Sequence, residues 1–250
     1  MNTLDQLRIK IFADGATKGD ILELYRKPYI RGFTTNPTLM RKAEITDYRG
    51  FARDILAAIP DRPFSLEVFS DEFDETDAVR QAREIACWGE QVYVKIPITN
   101  TRGQSACPLI RRLSHAGVKV NVTAMLPLAQ VQEAAAARTG GAPAYVSVFA
   151  GRIADTGVDP VPLMADAVKL LRDYPNVELI WASPRELLNI FQADGIGCHI
   201  ITVTHDILKK LELVGKSLEE FSLDTVKMFY SDALEAGFQL ELVPPRPLGP

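Results

Sequence analysis

The chain has 250 residues, long for an average domain and ordinary for a single α/β barrel. With 47% hydrophobic and 24% charged residues, it can bury a large core without disulfide or metal staples. A formal net charge of −4 speaks against generic binding of nucleic acid or an anionic membrane, but leaves small anionic substrates open, because those need only one or two placed cations or amides.

Short β-rich runs alternate with helix-length segments along the whole chain. Residues 8–13 (RIKIFA) read as the first strand and 18–26 as a short helix. Residues 31–35 (RGFTT) form strand two, followed by a helix over 47–59. Strand three is 63–69 (PFSLEVF), with helix 74–88, and strand four is 91–96 (QVYVKI), with helix 104–116. Strand five, 119–123 (KVNVT), precedes the Ala-rich segment 127–138, which opens on proline as helices often do. Strand six is 145–149 (YVSVF), followed by an amphipathic helix over 159–174. Strand seven, 177–182 (VELIWA), leads into helix 184–193, and strand eight, 199–203 (HIITV), leads into helix 206–213. Eight strand–helix units point to a (β/α)8 TIM barrel of α/β class over residues 1–240 as a single domain. An extra C-terminal helix is expected over 222–236. A proline-rich tail, 241–250, with four prolines, cannot be regular structure and is expected to be mobile or strapped to a neighbour.

Cys87, Cys107 and Cys198 are odd in number and fit no metal spacing. None of the three histidines has a ligand partner at metal spacing, so no metal and no cofactor is expected. The first ten residues contain no apolar signal core, and no stretch approaches a membrane span. A reduced, cytoplasmic chain is the expectation.

In a parallel barrel both faces of each strand are buried, so a polar residue inside a strand needs a reason. Six strands carry one near the C-terminal end: Asp14; Thr34 with Asn36; Glu67; Lys95; Asn121 with Thr123; and Ser147. Residues two apart share a face, so Asn121 and Thr123 point together, as do Ser147 and Phe149. Facing inward, these groups converge on the rim where barrel enzymes keep their active sites. A lysine among Tyr93, Val94, Ile96 and Pro97 would be desolvated, which disfavours its ammonium form and frees a nucleophile for Schiff-base chemistry with a carbonyl. Glu67 and Asp14 are the carboxylates placed to move protons. Each residue also has a plainer reading. Lys95 and Glu67 form a structural ion pair, Asp14-Gly15 is a turn, and Asn36-Pro37 starts a helix. Ser183 caps the helix after strand seven, and Arg152 and Arg185 are surface arginines.

The motifs ADGA with Asp14, TTNPTL from Thr34, LEV with Glu67 and YVKIP with Lys95 resemble the transaldolase family, including its fructose-6-phosphate aldolase branch. NVTAM, SVFAGRIAD and the segment with Ser183 and Arg185 continue the likeness in order, to about Tyr230. The resemblance implies that Lys95 forms an imine with a ketose phosphate and that Glu67 acts as general acid/base through a water held by Thr123. It implies that Asp14 takes the proton of the substrate hydroxyl beside the breaking bond. It places Thr34, Asn36, Asn121 and Ser147 around the dihydroxyacetone unit, and Arg152, Ser183 and Arg185 on the phosphate. The phosphate segment departs from the usual pattern by having Pro184 in place of an aromatic residue. At position 149 the aldolase branch resembles a tyrosine and transaldolases a phenylalanine, so Phe149 favours transfer to an aldose acceptor. The alternatives are release of free dihydroxyacetone by an aldolase, or a non-catalytic barrel that binds a sugar phosphate. The expected partners are small sugar phosphates and further copies of the chain in a homo-oligomer.

Overall fold

The structure, a computed structural model, describes residues 6–73 and 77–240. Eight strands run in parallel and in chain order: β1 (Lys10–Asp14), β2 (Ile30–Thr34), β3 (Phe64–Glu67), β4 (Val92–Pro97), β5 (Val120–Met125), β6 (Ala144–Val148), β7 (Val177–Trp181) and β8 (Ile200–Thr204). The last strand pairs with the first, which closes the barrel. The helices are α1 (Lys18–Tyr25), α2 (Pro37–Lys42), α3 (Tyr48–Ala58), α4 (Ala78–Ala86), α5 (Cys107–His115), α6 (Leu128–Ala137), α7 (Ala150–Ala154), α8 (Pro160–Leu171), α9 (Leu188–Gly195), α10 (His205–Lys209) and α11 (Leu218–Glu235). Parallel neighbours require crossovers, and the helices both make them and cover the outside of the barrel.

Alternation sorts the strand side chains. Val94 and Ile96 of β4, Val120 and Val122 of β5, and Leu179 and Trp181 of β7 are fully buried in the apolar layer between sheet and helices. The intervening residues face the barrel axis, and these divide into two layers. Towards the N-terminal ends, Phe12, Tyr145, Ile180 and Ile200 form a separate apolar cluster with Tyr93 against it. Tyr93 and Tyr145 stack at 3.9 Å between ring centroids, and Phe12 meets Tyr145 edge-on at 5.8 Å. Towards the C-terminal ends, the inward positions are polar.

The barrel agrees with the alternation in the sequence, and several element boundaries do not. The loop after β2 holds α2, missed because it is short; Asn36 caps it by accepting from the Leu39 amide at 3.0 Å. The short α7 likewise follows β6 directly, and Phe149 is its N-cap residue rather than the end of the strand. The helix expected from Pro184 begins only at Leu188, so Ser183 is not its cap. Two reasons are visible: Ser183 sits at φ +60°, and the Asn189 side chain accepts from the amides of Arg185 and Glu186, holding residues 185–186 in a turn ahead of the helix. The late helix starts earlier than expected, where Ser217 caps α11 through the Glu220 amide. Residues 74–76 of the predicted third helix and the whole proline tail 241–250 lie outside the described residues.

None of the residues of α11 is buried, although Phe221, Val226, Phe229 and Leu234 lie on it. Among the described residues, no helix is long and apolar enough to cross a membrane. The cysteines are free thiols: Cys87 is exposed, Cys107 partly buried and Cys198 buried, where desolvation pushes its thiol up to about 12.

Gly32 on β2 lies beside Phe12, its register partner on the adjacent strand β1. A Cβ there would stand 2.6 Å from the buried ring. Gly32→Ala should therefore destabilise the chain by roughly 1–3 kcal/mol, the usual range for overpacking, read as a lower urea midpoint with unchanged slope.

Candidate active site

The polar layer is built from the last turns of the strands. Register alone places its members: Asp14 lies opposite Thr34, Glu67 opposite Lys95, and Lys95 opposite Asn121. Lys95 is only 5% exposed, and its Nζ lies 3.1 Å from Glu67 Oε2. The same Nζ donates to the Thr35 carbonyl at 2.8 Å. A buried charge is costly unless it is paired and hydrogen-bonded, and both conditions are met here. The expectation of an apolar setting needs correction. Val94 and Ile96 point to the helices, whereas the groups that share the barrel interior with Lys95 include two carboxylates, a consequence of strand alternation.

Asp14 ends β1, half-buried, and accepts from Thr34 Oγ1 at 2.7 Å. Burial raises its carboxyl above the ordinary 3.8, outweighing the opposite pull of the Lys95 charge and the Thr34 hydrogen bond; Glu67 adds a smaller push upward. Thr34 also shares a 2.5 Å contact with Thr202 of β8. On the far side, Asn121 Nδ2 donates to Ser65 Oγ at 3.0 Å, and Ser147 Oγ donates to Asn121 Oδ1 at 2.7 Å, all inside the barrel. Thr123 is buried, and its Oγ1 has no hydrogen-bond partner. It sits beside an irregularity in the β5–β6 pairing, where Ala124 takes a φ of +61°. An extra residue of this kind at a strand end re-aims its neighbours, and such bulges gather beside active sites. A cavity of about 300 Å³ opens beside Asp14, with Lys42 and His205 also in its wall.

The model of the transaldolase/fructose-6-phosphate aldolase family matches residues 11–243. The chain belongs to that family. A probable transaldolase of Dehalococcoides mccartyi is 35% identical over 204 residues, 81% of this chain and 90% of that protein. One from a Thermoanaerobacter species is 36% identical over 220 residues, 86% of this chain and 96% of the relative. A third, from Methanococcus maripaludis, is 35% identical over 220 residues. In this chain Lys95, Glu67, Asp14, Thr34, Asn121, Thr123 and Ser147 lie at the inward strand ends of the barrel.

The remaining site residues lie at the rim. Asn36 spends its Oδ1 on the α2 cap, which leaves its amide hydrogens for another partner. Phe149 is half-buried, and the exposed Arg152 lies over its ring at 5.2 Å. Arg185 is engaged elsewhere: its guanidinium grips both oxygens of Asp155 at the end of α7, which holds that carboxyl below the usual range. Arg152 adds a smaller pull on the same carboxyl, so Arg152, Asp155 and Arg185 form one charged group beside Ser183. Gly151 makes this closeness possible, because any Cβ there would overlap the Ser183 carbonyl oxygen.

Sequence reading missed Ser65, Thr202, Gly151 and Asp155. Ser65 and Thr202 were within reach of the rule that found the others, since each is a polar residue in an apolar strand, on the same face as Glu67 or Thr204. Sequence spacing also hid the surroundings of His205, whose Nδ1 lies 3.2 Å from Asp20 and whose Nε2 lies 3.8 Å from Glu23. These three could hold a metal ion by proximity, although both imidazole nitrogens already face carboxylates.

A carboxyl raised by burial stabilises the fold below its ordinary value of 3.8 and loses that contribution as the pH climbs through the higher folded value. At neutral pH Asp14 thus contributes less to stability than it does at low pH. Asp14→Asn, which can still accept from Thr34, should increase the urea-unfolding free energy at neutral pH, and the gain should shrink as the pH is lowered towards 3.8.

Proposed function

We propose that this chain is a Schiff-base transaldolase that moves a dihydroxyacetone unit from a ketose phosphate, of the fructose 6-phosphate or sedoheptulose 7-phosphate type, to an aldose acceptor. The observation that carries the reading is an interior lysine 3.1 Å from Glu67, with Asp14 close enough for the lysine charge to act on it, at the C-terminal mouth of the barrel. Barrel enzymes do their chemistry at that mouth.

The Lys95 amine, its proton passed to a carboxylate, attacks the C2 carbonyl. Loss of water then leaves a protonated imine. Asp14 takes the proton from the C4 hydroxyl, the C3–C4 bond breaks, and its electron pair flows into the imine to give an enamine. An aldose phosphate departs with a new aldehyde. The enamine carbon attacks an acceptor aldehyde, Asp14 returns the proton to the new hydroxyl, and water hydrolyses the imine to free Lys95. Glu67 shuttles protons in the imine steps through a water held by Thr123, whose buried Oγ1 has no protein partner and suits that task. Asn36, Asn121 and Ser147 hold hydroxyls of the three-carbon unit, with Thr34 fixing Asp14 from behind. Arg152 and Ser183 hold the phosphate. Arg185 joins them only on leaving Asp155, and otherwise fixes the position of α7. The names of the relatives, probable transaldolases, agree with this reading. We further propose a cytoplasmic protein that assembles with its own copies, the exposed apolar residues of α11 covered by a second subunit.

Borohydride added with fructose 6-phosphate should lock a three-carbon adduct on Lys95, located by peptide mass. An adduct on another residue, or none, would refute the mechanism and leave a barrel that only binds sugar phosphates. Lys95→Met should abolish transfer in a chain that still folds, at a lower stability because Glu67 loses its partner, and Glu67→Gln should slow turnover by roughly 10²–10⁴-fold.

Phe149 offers no hydroxyl to assist hydrolysis of the intermediate. Phe149→Tyr should therefore raise the release of free dihydroxyacetone in assays without acceptor. If the unaltered chain already releases it as fast as it transfers, the aldolase alternative stands instead.

A further inference from the structure

One hydroxyl of the polar layer has no task in the chemistry above. Thr202 lies on β8, the strand that closes the barrel against β1, and is 6% exposed. Its Oγ1 stands 2.5 Å from Thr34 Oγ1, and Thr34 Oγ1 stands 2.7 Å from Asp14 Oδ1. Two hydroxyls and a carboxylate, carried by β8, β2 and β1, thus form a continuous chain of contacts.

The hydrogens on hand give this chain a direction. An ionised carboxylate can only accept, and a hydroxyl has a single hydrogen to donate. Thr34 gives its hydrogen to Asp14, so the hydrogen between the two threonines comes from Thr202. By donating to the Thr34 oxygen, Thr202 fixes the rotation of that hydroxyl and polarises its O–H bond, which strengthens the bond to Asp14. Thr34 is itself only 3% exposed, so bulk water is a poor substitute for this donor. The support falls where it is needed. Burial raises the Asp14 carboxyl, and the Lys95 charge and the Thr34 hydrogen bond work against that rise.

We propose that Thr202 is a positioning residue for Asp14: it aims the single hydrogen of Thr34 at Oδ1 and so leaves Oδ2 to take the proton of the substrate hydroxyl. Thr202 acts through Thr34 and needs no contact with the substrate. Its part in turnover rests on the reading of Asp14 as the base in carbon–carbon cleavage; the direction of the hydrogen bonds does not.

Carbon-13 NMR of the aspartate carboxyls, with the Asp14 signal assigned through Asp14→Asn, reads the effect directly. In Thr202→Val, close in shape but without the hydroxyl, Asp14 should titrate at higher pH than in the unaltered chain, and Thr202→Ser should restore its titration. The charged and titratable groups around Asp14 stay in place in both variants: Lys95 on β4 and Glu67 on β3, with Asp20, Lys42, His205 and Asp206 in the wall of the neighbouring cavity. In the transfer assay with fructose 6-phosphate, the acidic limb of kcat/KM against pH should move upward as well. Activity below that limb should fall by roughly three- to tenfold, the usual effect of one lost hydrogen bond. If Thr202→Val does not fold by circular dichroism, Thr202→Ala takes its place in both measurements. An unchanged Asp14 titration, or one that Thr202→Ser fails to restore, overturns the role of Thr202. A fall in activity equal at every pH, as a merely structural role would give, overturns its part in turnover. Absence of borohydride trapping on Lys95 in the unaltered chain strikes the transaldolase reading instead, and the NMR titration still decides the direction of the hydrogen bonds.

Discussion

A charged amine inside a closed barrel must be neutralised where it sits. Lys95 meets that demand with Glu67 across one strand-to-strand step and the Thr35 carbonyl behind it. Removing either charge alone would leave its partner buried and uncompensated, a far larger penalty than the pair is worth as a stabiliser. The pair is therefore costly to disrupt without being much of a stabiliser. Asp14 follows from the same constraint. A second carboxylate in this confined layer is pushed towards its neutral form by desolvation, and a carboxylate that holds protons more tightly is a better proton acceptor.

The barrel interior separates two tasks along its axis. The lower layer of Phe12, Tyr93, Tyr145, Ile180 and Ile200 is a packed apolar plug. The upper layer holds two hydrogen-bonded chains in which each side chain limits the next: Asp14 to Thr34 to Thr202 on one side, and Ser65 to Asn121 to Ser147 on the other. Rigid strands carry almost all of it, and strands place groups more precisely than loops do. Where the chain must leave the strand geometry, at Ala124 and Ser183, it adopts left-handed backbone beside the site. Conformations of this kind are mildly unfavourable and persist where the surroundings hold them.

The rim is built from exposed charged groups rather than buried ones. Arg152 is exposed and lies over Phe149, while Arg185 is bound to Asp155. The rim, in contrast to the interior layer, is made of short helices and turns such as α7 and residues 183–187. Pro184 belongs to this region. It is buried behind Ser183 and separates the end of β7 from the turn that Asn189 holds.

The order of eight strands and the inward direction of Asp14, Glu67, Lys95, Asn121, Thr123 and Ser147 were legible in the chain itself. Strand periodicity is a local property, and a polar residue in an apolar run stands out without knowledge of its partners. The motifs from ADGA to YVKIP added the family. Partner choice was not legible, because it depends on register between strands and on which helix end meets which loop. Nothing local to Arg185 points to Asp155 thirty positions away, nor does anything near His205 point to Asp20. The late start of α9 was equally hidden: Ser183-Pro184 looks like a cap, but the side chain of Asn189 holds the turn and Gly151 packs against the Ser183 carbonyl. Local pattern determined which residues face inward. Only the closed barrel, by bringing distant strand ends within hydrogen-bond reach, decided which of them pair, which stay free, and that Asp14 holds its proton more firmly than a free carboxyl.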